Sequence, residues 1–211
     1  MNLIDMHCDT LWKMIQQNEY DLMENPWSVS IPAMKEAGTL AQFFACFTCL
    51  EEQNMDYEKC YEQALAMIEL LKNNCKKYSE EICMAGNYED ILKNEQNGQI
   101  SAVLTIEEGG IINGKAQRLE ELWEKGVRLV TPMWNYTNCL GHPNSREPEL
   151  MAKGLTKFGK EIINRAGELG MIIDVSHASD QSFRDILECT DGPVVASHSN
   201  CRALCRHPRN L

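Results

Sequence analysis

The sequence predicts an α/β protein built on a parallel sheet, either a doubly wound open sheet or a (β/α) barrel. Short β-rich runs alternate with stretches of helical periodicity along the 211 residues. The runs read as strands buried on both sides, as in a parallel sheet joined by right-handed crossovers.

Six strands are expected, at Leu3–Asp9, Leu40–Thr48, Ile100–Ile106, Val127–Met133, Met171–Ser176 and Pro193–Ser197. Between them Tyr61, Ala64, Leu65, Ile68 and Leu71 recur at helical spacing. So do Leu119, Leu122 and Trp123, and again Phe158, Ile162, Ala166 and Leu169. Thr156 suits the N-cap of a helix ending at Gly170. Ser179 suits the N-cap of one running through Phe183 and Ile186 to Asp191 and Gly192.

The length suits one domain over residues 1–211. With 20 basic and 31 acidic residues the formal charge is -11, which opposes phosphate backbones and anionic lipid. No nucleic-acid or membrane partner is expected. No apolar run approaches the roughly 20 residues of a membrane span, and no secretory leader precedes Ile4, so a cytoplasmic location is expected. The 10 cysteines are scattered through core-like segments, and the expectation is reduced thiols.

The turn after the first strand, "HCDTLW", has no glycine, and no P-loop occurs, which removes most support for nucleotide binding. Instead, strand ends carry metal-ligand side chains. "IDMHCD" supplies His7 and Asp9, "TIEEGG" supplies Glu107 and Glu108, "IIDVSH" supplies His177, and "VVASHS" supplies His198. In a parallel barrel these ends open on one face. Along a strand, side chains at i and i+2 point the same way, so His7 and Asp9 would serve one point in space. Imidazole with carboxylate suits Zn²⁺, and a shared carboxylate can bridge two ions about 3.5 to 4 Å apart. Of the two glutamates, the following glycines favour Glu108, because they allow a sharp turn just beyond it. His142 in "LGHPNS" and His207 in "CRHPRN" lie in loop sequence and read as non-ligands. The pairs Cys46/Cys49 in "CFTC" and Cys201/Cys205 read as structural.

Taken together, "IDMHCDTL", "IPAMKEAGTLAQFFACF", "IEEGG", "GVRLVTPMWNYTNCLG", "GLTKFGKEIINRAGELGMIIDVSHAS" and "PVVASHSNCRALCRHPRNL" resemble the renal (membrane) dipeptidase family of zinc peptidases, including its soluble bacterial members. The resemblance runs in order through almost the whole chain. It implies a (β/α)8 TIM-type barrel of the metal-dependent hydrolase class, with about six βα units in this chain.

The resemblance also implies a zinc-dependent dipeptidase with about two zinc ions per chain, cleaving small dipeptides through a metal-activated bridging hydroxide. In it His7, Asp9 and Glu108 hold one zinc, and Glu108, His177 and His198 hold the other. Arg209 in "PRNL" would grip the substrate's terminal carboxylate, a task suited to a guanidinium fork. Trp134 in "TPMWNYTN" stands where some members have a substrate-contacting histidine.

Family domains continue past the "RN" motif through about two more βα units, one carrying a proton-transferring aspartate that has no counterpart here. The domain is thus expected to be C-terminally incomplete, with weak or no activity unless the chain belongs to a longer product. Edges left by the absent strands are expected to be covered by the rest of a barrel or by association, including with a second copy. Two other readings are a truncated metal-binding module without catalysis and a related amidohydrolase acting on another amide or a lactam.

Overall fold

Apolar runs without polar alternation form the longest strands of the computed structural model, which describes residues 2–211. Among the described residues the strands are β1 (Leu3–Asp5), β2 (Thr39–Phe47), β3 (Ile82–Met84), β4 (Ile100–Glu107), β5 (Val127–Thr131), β6 (Ile172–Asp174) and β7 (Val194–Val195). The helices are α1 (Thr10–Gln16), α2 (Ile31–Ala37), α3 (Tyr57–Lys77), α4 (Tyr88–Gln96), α5 (Gln117–Glu124), α6 (Pro148–Met151), α7 (Lys157–Glu168) and α8 (Asp180–Cys189). Every residue of β4 is buried, and in β2 only Leu40 is half-exposed. Such strands are stable only with both faces covered, which is the parallel β/α arrangement.

The chain gathers into two compact units. The first comprises residues up to Thr48 together with Glu62–Thr105. In it β1 lies parallel to β2, Leu3 opposite Thr39 and Asp5 opposite Gln42, and β3 lies parallel to β4, Ile82 opposite Ile100. Ala45 N donates to Cys8 O at 3.0 Å, so the chain keeps to β2 beyond the end of β1 and carries His7 along it. The second unit comprises Cys49–Tyr61 and Ile106–Leu211. Here β6 is parallel to both β5 and β7, with Leu129 opposite Ile172 and Asp174 opposite Val195.

Local chemistry explains the boundaries. Thr156 accepts from Gly159 N at 2.9 Å and caps α7, and Ser179 accepts from Ser182 N at 2.9 Å and caps α8, as expected. Ser30 and Asn87 cap α2 and α4 in the same way. Gly170, with φ +73, takes the left-handed conformation that ends the helical path just beyond α7. Helix α8 ends at Cys189, short of the expected Asp191, because Thr190 is already extended.

Several strand expectations change: β5, β6 and β7 end at Thr131, Asp174 and Val195, short of the expected Met133, Ser176 and Ser197. The first strand stops at Asp5, not Asp9, because the backbone turns into α1 at Thr10. A seventh strand, β3, was not expected: at three residues it is too short to carry a period. All ten cysteines are free thiols, and burial pushes Cys8 up to about 12 and Cys46 further still, which makes both inert. Among the described residues no helix is long and apolar enough to cross a membrane.

The irregular segment between α1 and α2 is tied down by Asp21. Its carboxylate accepts from Lys77 Nζ at 2.7 Å, from the Tyr78 hydroxyl, and from Met23 N and Glu24 N at 2.8 and 2.9 Å. Desolvation opposes the charge, but Lys77 and Tyr78 outweigh it and draw the carboxyl down from 3.8 to about 2. A depressed folded-state pKa gives stability that is present above the unfolded value and lost as pH falls through the folded one. Asp21→Asn is therefore expected to lower Tm by a few degrees near pH 7, with the gap to the parent closing at about pH 2. Thermal melts across that range check it, and a gap that stays constant would show the charge is not the source.

Candidate metal centre

In the first unit, His7 and Asp9 lie past the end of β1, so strand alternation is not what pairs them. The turn into α1 does so: Asp9 occupies the N-cap position, and His7 Nε2 stands 3.3 Å from Asp9 Oδ1. His7 is mostly buried and Asp9 half-exposed, and the His7 amide donates to Asp5 Oδ1 at 3.3 Å. An imidazole nitrogen and a carboxylate oxygen are thereby offered side by side.

In the second unit, three donor atoms converge. Glu107, the last residue of β4, places Oε1 3.1 Å from His177 Nε2 and 3.4 Å from His198 Nε2. The two Nε2 atoms are 3.0 Å apart. His177 follows β6 and His198 follows β7, so neighbouring parallel strands deliver them together. His177 has φ +74, an uncommon conformation for a side chain of this size, held by Asn144, whose backbone and side-chain nitrogens both donate to its carbonyl.

The outer nitrogens of both rings are engaged away from this point. His177 Nδ1 is 3.2 Å from Asn135 Oδ1, which can only accept, and His198 Nδ1 is 2.7 Å from Ser197 Oγ. Burial holds the His177 imidazole below its usual range despite Glu107, which favours the neutral ring a metal requires.

Glu108 is not brought to the histidines. It is fully buried with φ +75, and that left-handed turn sends its side chain back under the following loop. Oε1 accepts from Gly110 N at 3.0 Å and from Asn138 Nδ2 at 2.6 Å, and Oε2 accepts from Trp134 N at 3.0 Å. Burial pushes its carboxyl up to about 7 against those hydrogen bonds. The carboxylate facing the histidines is that of Glu107.

Trp134 lies on the loop that Glu108 anchors, its ring centroid 6.1 Å from that of His177. Arg209 is half-buried, and its Nη1 is buried with no hydrogen-bond partner. Burial lowers its pKa, while Glu107 and Asp174 act on it in the opposite direction. His142 sits apart, its Nδ1 2.9 Å from Gly154 O, and His207 is exposed. Sequence reasoning passed over Asn135, Asn138, Asp174 and Ser197, all in contact with candidate ligands or with Glu108 and Ser176 around them.

The sequence profile of the membrane dipeptidases, peptidase family M19, matches residues 1–211. The chain belongs to the membrane dipeptidase family. The crystal structure of dipeptidase AC, a metallopeptidase of family M19, matches it with a TM-score of 0.90 at 23% identity, covering 100% of this chain and 67% of that one. A metallopeptidase from Rhodobacter sphaeroides, liganded with a phosphinate mimic of the dipeptide L-Ala-D-Ala, gives 0.88 at 21% identity, covering 100% and 68%. An uncharacterized Acinetobacter calcoaceticus protein, from the PQQ-III 3′ region, is 29% identical over 194 residues, which is 84% of this chain. The chain spans 62% of that curated relative's length. The fold is accordingly the (β/α)8 barrel of the membrane dipeptidases, present here in part.

Membership in a metallopeptidase family implies a metal cofactor. The donor set of this membrane dipeptidase family chain fits one: with both Nδ1 atoms engaged outward, two imidazole Nε2 atoms and a carboxylate oxygen face one another at 3.0–3.4 Å. Such a cluster is electrostatically unfavourable without a cation, and nitrogen–oxygen sets of this kind suit Zn²⁺.

Proposed function

We propose that this chain carries the metal site of a zinc-dependent dipeptidase, with Glu107, in place of Glu108, as the acidic ligand beside His177 and His198. The observation that carries the reading is the convergence of Glu107 Oε1 with the two Nε2 atoms while both Nδ1 atoms are engaged elsewhere. His7 and Asp9 are proposed as further ligands on the strength of their 3.3 Å pairing and of the family motif, for about two zinc ions per chain. When bound, zinc would lower the pKa of water and polarise the scissile carbonyl.

The protein's own groups would do the rest. His177, kept neutral by burial, offers a lone pair at neutral pH. Arg209 Nη1, a buried donor without a partner, suits the free carboxylate of a dipeptide, and the Trp134 ring would wall the site beside His177. Because the Rhodobacter sphaeroides relative is liganded with a mimic of L-Ala-D-Ala, that dipeptide is the first substrate to try.

The decisive experiment is metal analysis with a dipeptide hydrolysis assay. Expected are about two zinc ions per chain, and hydrolysis lost to a chelator and restored by Zn²⁺. A chain that binds no zinc would sink the reading. Arg209→Ala is expected to reduce kcat/KM for dipeptides about 10- to 100-fold, mainly through KM, with zinc content unchanged. An equal loss on a substrate whose carboxylate is amidated would show that Arg209 does not read that group.

A further inference from the structure

Asp174 closes β6 and is fully buried, and the proposed chemistry gives it no role. Its two oxygens have different partners. Oδ1 accepts from the backbone amides of Ser176 and Ser197, each at 3.0 Å, and so ties together the turns that follow β6 and β7. Oδ2 accepts from Thr131 Oγ1 at 2.9 Å and from Ser197 Oγ at 2.6 Å.

The second set has a consequence for His198. A hydroxyl has one proton, and Ser197 directs it to Asp174. Its oxygen then presents a lone pair to His198 Nδ1 at 2.7 Å, so that nitrogen must be the protonated one. His198 Nδ1 is 4.0 Å from Asp174 Oδ2, so the serine is the intermediary. The His198 amide donates to Ser176 Oγ at 3.1 Å, which fixes the backbone from which the ring projects.

We propose that Asp174, acting through the Ser197 hydroxyl, is a positioning residue that holds His198 in its Nδ1-protonated tautomer and so keeps Nε2 open to a metal ion. The inference rests on the reading of Glu107, His177 and His198 as ligands. Outer partners of this kind orient metal-binding histidines and typically govern affinity 10- to 100-fold.

The division of labour at Asp174 supplies a clean test. Ser197→Ala removes the hydroxyl but keeps the Ser197 backbone amide that donates to Oδ1, so the turns stay tied. Ser197→Thr keeps the hydroxyl. In the metal-free full chain, ¹⁵N-resolved imidazole spectra read the tautomer directly. Expected are an Nδ1-protonated His198 in the parent and in Ser197→Thr, and a ring with substantial Nε2 protonation in Ser197→Ala. Zinc affinity by competition titration should fall about 10- to 100-fold in Ser197→Ala and recover in Ser197→Thr. A His198 still protonated at Nδ1 in Ser197→Ala overturns the inference. A parent that binds no zinc refutes the proposed function instead, and the metal-free spectra still decide this point.

Discussion

Glu107→Gln is expected to weaken zinc binding about a hundredfold or more and Glu108→Gln to leave it within a few-fold. Binding free energies of roughly 10–16 kcal/mol for a protein zinc site, spread over about four ligands, make one ligand worth about 3 kcal/mol. Glu107 Oε1 faces both histidine Nε2 atoms, so a neutral amide there removes the charge opposite them. Glu108 instead meets three donors, Gly110 N, Asn138 Nδ2 and Trp134 N. A glutamine has only one acceptor end, and its amide nitrogen would confront at least one buried N–H. That costs about 1–3 kcal/mol and several degrees of Tm. Competition titration with a chromophoric chelator and thermal melts of both variants separate the roles. The opposite ranking, zinc lost in Glu108→Gln and kept in Glu107→Gln, would return the ligand role to Glu108.

That choice marks the limit of what one sequence discloses. The buried strands, the periodic faces of α3 and α7, and the caps at Thr156 and Ser179 depend on residues close together in the chain, so they can be read locally. His177 and His198 stand out because a histidine just past an apolar run is conspicuous. Deciding between Glu107 and Glu108 needs the backbone angle at Glu108, whose φ of +75 is stabilised by contacts with Asn138 and Trp134, many residues onward. The glycines after it do mark a sharp turn, but the turn takes Glu108 away from the histidines. Likewise Asn135, Asp174 and Ser197 are common polar residues with no period. Only the delivery of adjacent strand ends to one place gives them partners. The pairing of His7 with Asp9 was expected from strand alternation, yet it arises in the turn into α1.

The largest stability effect is expected at Gly159, a position remote from any ligand motif. Gly159 lies in the first turn of α7, and a Cβ there would stand 1.8 Å from Leu140 O and 2.7 Å from Leu140 C. Both are backbone atoms, so no rotamer change relieves the clash. The loop cannot yield freely either. Leu140 O accepts from Thr156 N at 2.9 Å, Cys139 O accepts from Thr156 Oγ1 at 2.6 Å, and Leu140 N donates to Asn138 Oδ1 at 2.8 Å. Asn138 in turn holds Glu108, which holds the Trp134 backbone, so a shift at Leu140 reaches the edge of the candidate site. Gly159→Ala should cost about 3–5 kcal/mol, lowering Tm by roughly 10 °C, and should weaken zinc binding in whatever still folds. Gly167→Ala, in the same helix, is the control. Its Cβ would meet Thr190 Oγ1 at 2.4 Å, the end of a side chain that can rotate, at the expense of its bond from Gly192 N. Alanine's gain in helix propensity offsets that loss, so this variant is expected within about 1 kcal/mol of the parent. Equal losses in the two variants would show that the effect belongs to glycine in the helix and not to the contact with Leu140.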